Sequence, residues 1–563
     1  MCATRSPPTQ LHLQFSNARQ NETTRAEIQN LISTQNVPEL EKLLGSNIQF
    51  GTAGLRARMQ AGFSRLNDLT ILLATQGLAS YLHLHSSSPS IIIGHDHRHN
   101  SQRFAHLAAA AMITAGVRVH LYRDLVHTPL VPFAVKALQA SAGIMITASH
   151  NPKDDNGYKV YWGNGSQIVP PHDAGIAAEI AKQEAVRTWD VTIAESAEEI
   201  AESVVDGYFA AVANLLGKLD LKEKFVYTPM HGVGLIPMRR ICAEAGIESL
   251  MAVVPEQAHP DPDFPTVSFP NPEENGALDL AIATARAQNI RYILASDPDA
   301  DRFAFAYLPP SPAPPRILSG NELGILFATH MHTLHPTAPM LCSTVSSQFL
   351  AHYAAANNFP FEETLTGFKW LGTRAQEIGA CYAFEEAIGY MFSSVVFDKD
   401  GIAAAGVFLR MLATRADTPI DWLNALGEKY GWYASGGGYY VSPSPLITKN
   451  VFTAIRGEGK RGPGIVGGRK VVWWRDLTLG WDSREEGGVP RLPVSKESEM
   501  VTVELEGGVR FTVRGSGTEP KVKVYIEVRG ETMEAARRVV EEVKADLRRE
   551  WFRPEATGLV PSA

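Results

Sequence analysis

The sequence predicts an α/β fold: three related α/β domains with mixed, mostly parallel sheets, then a C-terminal α+β domain, with the four domains around a central cleft. Short apolar strands alternate with polar loops and helices in three separate stretches, which is typical of parallel α/β units. The final part shows consecutive strand patterns instead. A chain of 563 residues also exceeds what one hydrophobic core holds, which favours several domains.

The three related stretches share one order of elements: a strand, a loop, a helix and a second strand. We predict the segments 91–93, 103–115 and 117–119 in the first stretch, 225–227, 239–245 and 251–254 in the second, and 340–342, 349–356 and the region of Phe361 in the third. Recurrence at such long intervals favours related domains over a solenoid.

The C-terminal part differs from these stretches. Strands are predicted at 501–505, 509–513 and 522–528, followed by a charged amphipathic helix over 531–550. Loop composition predicts a surface insertion at 309–315 and a mobile connection at 456–469. The predicted domains are therefore 1–215, 216–335, 336–450 and 451–563.

Composition excludes several function classes. A net charge of −8 disfavours nucleic acid and anionic membranes as partners, and no apolar run is long enough for a membrane helix. The polar first 25 residues lack the layout of a secretory signal, and the four cysteines show no CxxC spacing. We therefore expect a cytoplasmic protein. Its expected partners are small anionic molecules, which local clusters of Arg and Lys can hold.

The first chemical signal is the segment 147–152, Thr-Ala-Ser-His-Asn-Pro, directly after the apolar strand 142–146. Because α/β proteins bind ligands where parallel strands end, Ser149 is a candidate nucleophile and His150 a group that positions or polarises it. The polar run 153–159, which ends at Lys159, adds cations suited to phosphate. The alternative is an ordinary Asn-Pro turn that ends a strand.

The second signal is the segment 297–302, Asp-Pro-Asp-Ala-Asp-Arg, which follows the apolar strand 292–295. Carboxylates at alternate positions of one tight loop can converge on a hard cation, and oxygen ligands without His or Cys favour Mg²⁺ over zinc. An EF-hand is excluded, since Arg302 and Leu308 stand where that loop needs Gly and Glu. A solvated acidic turn remains the alternative.

With these two motifs in this order, the chain resembles the α-D-phosphohexomutase superfamily, the phosphoglucomutase and phosphomannomutase enzymes, from about residue 45 to about residue 550. The resemblance implies that Ser149 carries a phosphoryl group. It also implies that Asp297, Asp299 and Asp301 bind one Mg²⁺ together with the phosphate on Ser149, and that Arg302 faces the substrate.

Further segments match the superfamily's motifs, although each alone is typical of a loop with a solvated charge. By resemblance, the segment 50–56 brings Thr52 and Arg56 to the active site, and the segments 366–370 and 384–389 recognise the sugar. The segment 398–401 supplies Lys399 for proton transfer. The segment 514–520 binds the phosphate of the substrate that does not react. The arginine, hydroxyls and glycine turn of this last segment also suit a dianion on chemical grounds. The substrate-binding candidates are Thr52, Arg56, Lys159, Arg302, Thr366, Gly367, Lys369, Glu385, Arg514, Ser516, Gly517 and Thr518.

These parts imply a phosphosugar mutase. Phosphoserine would donate to a free sugar hydroxyl, giving a bisphosphorylated sugar that turns over in the cleft and returns its other phosphate. His150, Arg56 and Lys399 are the candidates for proton transfer at Ser149. Glucose 1,6-bisphosphate or ribose 1,5-bisphosphate is the implied activator, sugar phosphates are the implied partners, and a monomer is expected.

One departure from the superfamily pattern concerns substrate choice. Many glucose-phosphate mutases carry a serine where this chain has Ala387, and this together with the segments 50–59 and 367–370 resembles the phosphopentomutase branch. That branch acts on ribose or deoxyribose phosphates, with weaker activity on glucose phosphates. The alternatives are a glucose-1,6-bisphosphate synthase and a catalytically silent sugar-phosphate sensor. The histidine-rich segment 95–99 coincides with a structural loop of the superfamily, which argues against a metal there.

Overall fold

The computed structural model describes residues 21–51, 54–310, 312–457, 462–496, 498–516 and 521–562. The chain divides into two units. One comprises residues up to 323 together with 368–416, and the other comprises 324–367 together with residues from 417 onward. Among the described residues, no helix has both the length and the apolar character needed to cross a bilayer.

The first unit begins with a mixed sheet whose centre is parallel. Its strands lie in the spatial order Gly54–Arg58, Asp155–Trp162, Ala142–Ile146, Ser90–His95, Arg118–Leu121 and Glu198–Glu199. The pairs among the last four of these are parallel, whereas Asp155–Trp162 runs antiparallel to both of its neighbours. The central strands are apolar on both faces because helices cover both sides of the sheet.

A second mixed sheet follows in the same unit. Its strands lie in the order Arg316–Ile317, Phe303–Tyr307, Tyr292–Ser296, Phe225–Thr228 and Met251–Val253. The last three are mutually parallel and the first two pairings are antiparallel. The unit also contains the antiparallel pair Tyr382–Glu385 and Gly389–Phe392.

The helices of the first unit flank these sheets. They are Glu22–Ser33, Val37–Leu44, Asp68–His85, Ser101–Thr114, Leu130–Ala137, His172–Ala181, Glu202–Leu216, Leu235–Glu244, Asp279–Ala287, Phe368–Ile378 and Gly401–Thr414, with 3-10 turns at Val191–Ser196, Glu248–Leu250 and Pro255–Gln257. The helix Gly320–Leu334 starts in this unit and continues into the second.

The second unit contains the parallel pair Met340–Ser343 and Phe361–Thr364 and a large antiparallel sheet. The sheet has the order Ile465–Val466, Arg469–Asp476, Met500–Leu505, Val509–Gly515, Lys521–Gly530, Trp432–Val441 and Val560–Pro561, and Trp481–Asp482 pairs with Arg469–Asp476. Its helices are Phe349–Asn357, Pro419–Tyr430, Pro445–Arg456, Met533–Leu547 and Pro554–Thr557, with a π turn at Arg548–Phe552 and a 3-10 turn at Glu486–Gly488.

The fold class and the repeating order of elements are confirmed. The segments predicted at 91–93, 103–115 and 117–119, for example, are the strand Ser90–His95, the helix Ser101–Thr114 and the strand Arg118–Leu121. The long strand Trp432–Val441 was not predicted, since its three consecutive glycines carry no strand pattern. The prediction of a loop over all of 456–469 was wrong, because Ile465–Val466 pairs with the following strand. The four domain boundaries stay predictions.

A buried carboxylate joins two parts of the second unit. Glu363, on the strand Phe361–Thr364, accepts hydrogen bonds from Thr344 (2.9 Å), from Arg510 (2.7 Å) and from Arg475 (3.3 Å), both arginines lying on the antiparallel sheet. Burial alone would raise the pKa of Glu363, but the two guanidinium groups outweigh it and lower this pKa to about 2.

We expect Glu363→Gln to destabilise the second unit by about 3 kcal/mol at neutral pH, since two largely buried arginines lose their counter-charge. Because the pKa of Glu363 is depressed on folding, its contribution is present above the ordinary pKa of about 4.5 and is lost as the pH falls towards about 2. The difference between wild type and variant in denaturant unfolding should therefore shrink over that range. Glu541→Gln, on an exposed helix face, is the control and should change stability little.

Candidate functional site

Ser149 lies in the loop that leaves the carboxyl end of the strand Ala142–Ile146. It is 2 % exposed, and its backbone has a φ of 55°, in the left-handed region that a serine rarely adopts. Its amide N–H donates to the side chain of Thr147 at 2.9 Å. A strained, buried serine at the end of a parallel strand is typical of a functional position.

The loop around Ser149 is held by the guanidinium group of Arg98. This side chain is buried against Asp96 and donates hydrogen bonds to the main-chain carbonyls of Ser149 (2.6 Å), Asn151 (2.6 Å) and Pro152 (2.9 Å). The carbonyls of Ser149 and Asn151 accept from no other main-chain amide of the described residues. Arg98 is therefore a positioning residue for the serine.

Asp297, Asp299 and Asp301 follow the strand Tyr292–Ser296 and are fully buried. Ala300, within the turn, has a φ of 54°, and this tight turn brings the three carboxylates together. Each offers an oxygen, and these oxygens lie within 4.8 Å of one another. Ser149 Oγ donates to Asp297 Oδ2 at 2.7 Å, so the two loops predicted separately from sequence form one site.

The carboxylate oxygens of this site are suitable ligands for a hard cation. Asp299 Oδ1 and Asp301 Oδ1 are buried, and neither has a hydrogen-bond partner within the part of the chain that the structure describes. Burial and repulsion from Asp299 and Asp301 raise the pKa of Asp297 well above its ordinary value. A cation among these oxygens would supply the missing partners and relieve that repulsion.

Cationic side chains face the same carboxylates from other segments. Lys159 Nζ lies 2.7 Å from Asp299 Oδ2 and 2.9 Å from Asp301 Oδ2, and Lys399 Nζ lies 3.1 Å from Asp301 Oδ2. Burial disfavours the charge on Lys399, but Asp301 and the other nearby carboxylates more than offset it and raise the pKa of Lys399. Lys399 therefore stays protonated at neutral pH in this arrangement.

His150 and Arg56 lie beside Ser149. His150 Nδ1 is 3.3 Å from Ser149 Oγ, and burial together with the positive charges of Arg302 and Arg56 lowers the pKa of His150 well below its ordinary value. The imidazole is therefore neutral at pH 7. Arg56 is exposed on the strand Gly54–Arg58 and donates to Asn151 Oδ1 at 3.3 Å.

Arg302 joins the aspartate loop to the glutamate loop of the first unit. Its amide donates to Asp297 Oδ1 at 3.0 Å, and its guanidinium donates to the carbonyl of Ala387 at 2.9 Å. Glu385 ends the strand Tyr382–Glu385, and burial raises its pKa to about 7 although Lys399 and Arg302 oppose the shift. Lys399 and Arg302 therefore interact electrostatically with Glu385 as well as with the aspartates.

The remaining sugar and phosphate candidates are placed as follows. Lys369, in the helix Phe368–Ile378, is 7 % exposed, and burial lowers its pKa. In the second unit, Thr366 and Gly367 precede that helix, Gly367 having a φ of 103°, and Arg514 donates to the hydroxyl of Tyr525 at 3.0 Å. Ser516 N–H donates to the carbonyl of Lys521. Thr52, Gly517 and Thr518 lie outside the described residues.

Four family models match in the order of the predicted domains. They are described as phosphoglucomutase/phosphomannomutase, alpha/beta/alpha domains I, II and III, over residues 47–187, 206–308 and 319–430, and as the C-terminal domain over 482–545. The chain belongs to the phosphoglucomutase/phosphomannomutase family. The resemblance read from the motifs is thereby confirmed, as is its implication of a phosphosugar mutase.

The relatives most similar in sequence are named for three different reactions. The chain is 44% identical to a phosphoribomutase of Saccharomyces cerevisiae, covering 96% of each chain. It is 40% identical to a phosphopentomutase of Mus musculus, covering 97% of this chain and 94% of that one. A glucose 1,6-bisphosphate synthase of Homo sapiens is 38% identical, over 90% and 88%.

Sequence reasoning missed one residue that holds the aspartate loop in place. Thr128 Oγ1 donates to Asp299 Oδ2 at 2.6 Å, and its amide donates to the carbonyl of Asp299 at 3.0 Å. Thr128 follows the strand Arg118–Leu121, so its place at the carboxyl edge of the sheet was the available signal.

We expect Thr128→Val to weaken binding of a divalent cation about tenfold, because Asp299 loses the hydroxyl that orients it. Titration with Mg²⁺, followed by calorimetry, measures the change. Thr128→Ser keeps a hydroxyl and should restore most of the affinity. Equal affinities of the valine variant and wild type would show that the main-chain contact alone positions Asp299.

Proposed function

We propose that this protein is a phosphopentomutase that moves a phosphoryl group between the 1- and 5-hydroxyls of ribose or deoxyribose, with some activity on the 1- and 6-hydroxyls of glucose. The observation that carries the proposal is the 2.7 Å contact between Ser149 Oγ and Asp297 within a buried aspartate cluster. The extensive similarity to proteins named for pentose phosphates supports the substrate class.

The proposed cofactor is one Mg²⁺, held by Asp297, Asp299, Asp301 and the oxygen of Ser149. Carboxylate and hydroxyl oxygens without His or Cys favour this ion. When bound it supplies positive charge that neutralises the phosphoryl oxygens during transfer. Arg302 and Lys159, whose charged groups face the same aspartates, would add to that neutralisation from this chain's own residues.

Proton transfer at Ser149 is assigned to its neighbours. A neutral His150, 3.3 Å from Ser149 Oγ, can accept or return the hydroxyl proton, whereas a protonated Lys399 can only donate. Arg56 is then an exposed cation that contacts a substrate phosphate. His150 is therefore the better candidate for the base, and Lys399 for the acid that protonates a leaving oxygen.

Substrate recognition is assigned to two sets of residues. In the first unit, Lys369 and Glu385 contact sugar hydroxyls. In the second unit, Thr366 and Gly367 serve the same purpose and a phosphate clamp consists of Arg514, Ser516, Gly517 and Thr518. Two anion sites are needed because a bisphosphorylated sugar exchanges its phosphates between Ser149 and the clamp. Glucose 1,6-bisphosphate or ribose 1,5-bisphosphate would prime the enzyme by phosphorylating Ser149.

The cellular compartment and the oligomeric state are also part of the proposal. Cys242, Cys342 and Cys381 are buried thiols, as expected in a reducing compartment. We infer a monomeric cytoplasmic enzyme whose partners are small sugar phosphates.

We expect Ser149→Ala to lose interconversion of ribose 1-phosphate and ribose 5-phosphate by at least about a thousandfold, because the variant has no oxygen to carry the phosphoryl group. Intact-mass measurement after incubation with glucose 1,6-bisphosphate and Mg²⁺ should show one phosphoryl group on wild type and none on the variant. Ser196→Ala, at an exposed turn, is the control. A wild-type protein that never gains the phosphoryl group would instead be the silent sensor.

Substrate choice is tested by rates on three compounds. We expect kcat/KM for ribose 1-phosphate to exceed that for glucose 1-phosphate, because Ala387 offers no side-chain hydroxyl to a hexose. A glucose-1,6-bisphosphate synthase would instead consume 1,3-bisphosphoglycerate fastest. Ala387→Ser should raise the relative rate on glucose 1-phosphate by about tenfold if that hydroxyl governs selectivity.

A further inference from the structure

Tyr208 lies on the helix Glu202–Leu216 and is completely buried in the first unit. Its hydroxyl donates to both carboxylate oxygens of Asp400, at 2.9 Å to Oδ2 and at 3.1 Å to Oδ1. A buried tyrosine hydroxyl needs a partner, but an uncharged carbonyl would serve without the cost of burying a carboxylate. The pairing with Asp400, the residue directly after Lys399, therefore indicates a role beyond packing.

The buried carboxylate of Asp400 depends on three donors. Oδ1 accepts from the amides of Ile402 at 3.0 Å and Ala403 at 2.9 Å, which caps the helix Gly401–Thr414. Among the described residues, Tyr208 alone donates a hydrogen bond to Oδ2. Burial raises the pKa of Asp400 to about 7, whereas the hydrogen bonds from Ala403, Tyr208 and Ile402 favour the ionised form. Without the tyrosine hydroxyl, one oxygen of this carboxylate would have no partner.

The main chain at Asp400 is in contact with the aspartate loop. The amide of Gly401 donates to the carbonyl of Ala300 at 3.2 Å, and a Cβ on Gly401 would overlap the carbonyl oxygen of Arg302. Because the two backbones touch, a displaced helix start would shift this segment against the turn of the aspartate loop and would move Lys399 with it.

Lys399 is the functional group at the end of this connection. Its side chain is 9% exposed, and its Nζ lies 3.1 Å from Asp301 Oδ2. A chain of contacts thus extends from the hydroxyl of Tyr208 through Asp400 to the lysine that is proposed as the acid.

The ring of Tyr208 contacts a second segment that holds the aspartates. Its centroid lies 5.0 Å from that of the buried His127, in an edge-to-face arrangement. The next residue, Thr128, donates to Asp299 from its hydroxyl and from its amide. One side chain therefore touches both segments, with its hydroxyl towards the segment of Lys399 and its ring towards the segment of Thr128.

We propose that Tyr208 is a positioning residue for phosphoryl transfer, and that its hydroxyl, acting through Asp400, holds Lys399 beside Asp301. The inference rests on the proposed role of Lys399 as the acid. A proton donor must lie within hydrogen-bond reach of the oxygen that it protonates. A small displacement of Lys399 therefore lowers the rate of transfer more than it weakens the binding of the sugar phosphate.

The test is Tyr208→Phe, which removes the hydroxyl and keeps the ring. We expect kcat on ribose 1-phosphate to fall about tenfold while KM changes by less than about twofold. Hydrogen exchange at the amides of Ile402 and Ala403 should become faster, because the cap of their helix loses a support. The affinity for Mg²⁺, measured by calorimetry, should stay unchanged, since the phenylalanine ring still contacts His127.

Tyr158→Phe is the matched control. Tyr158 is also completely buried, and its hydroxyl is hydrogen-bonded to Thr75 Oγ1 at 3.1 Å. This variant loses one buried hydroxyl as well, but it should keep the kcat of wild type and the exchange rates at Ile402 and Ala403. Denaturant unfolding of both variants measures the general loss of stability. Rates are divided by the fraction of protein that carries a phosphoryl group, which is measured by intact mass.

A double-mutant cycle tests whether Tyr208 acts through Lys399. If it does, Lys399→Ala alone and Lys399→Ala combined with Tyr208→Phe should have the same kcat, because the lysine is no longer there to be positioned.

A wild-type kcat of Tyr208→Phe would overturn the proposal, as would an equal loss of kcat in Tyr158→Phe. The same proportional loss with and without Lys399 would also overturn it. A wild-type kcat of Lys399→Ala would instead show that this lysine is not the acid, and both proposals would then fall. Ser149→Ala tests the phosphoserine independently of all these variants.

Discussion

The close approach of three buried aspartates is the constraint on which the site depends. Like charges at this separation repel each other strongly away from water, so the cluster persists only where cations and hydrogen-bond donors surround it. Lys159, Lys399 and Thr128 supply those partners from three different segments of the first unit. The same need draws Ser149 to Asp297. Segments far apart in the chain thus meet at the aspartates because their side chains offset the negative charge of the cluster.

The serine loop obeys a related rule. The backbone at Ser149 is left-handed, and the carbonyls of Ser149 and Asn151 form no hydrogen bonds within a helix or sheet. The buried guanidinium group of Arg98 donates hydrogen bonds to both. Arg98 is itself held against Asp96. One planar cation with donors in several directions can hold a loop that neither helix nor strand would support.

Electrostatics also divides the work among the groups around Ser149. Burial among cations keeps His150 neutral, whereas surrounding carboxylates keep Lys399 charged. Two nitrogen groups beside the serine and aspartate loops thereby acquire opposite protonation states from their surroundings. Burial raises the pKa of Glu385 to about 7, so this carboxyl group is partly protonated at neutral pH.

The sequence by itself determined the fold class, the repeated order of strand, loop and helix, and the family, since apolar periodicity and the segments 147–152 and 297–302 are local patterns. It also predicted that Ser149 and the three aspartates act together, and the structure brings these residues into contact. It missed the strand Trp432–Val441, whose glycines conceal it, and the contact from Thr128 to Asp299. Only the tertiary structure decided that contact, the bonds from Arg98 and the protonation of His150 and Lys399, because each depends on groups far apart in the chain brought together away from water.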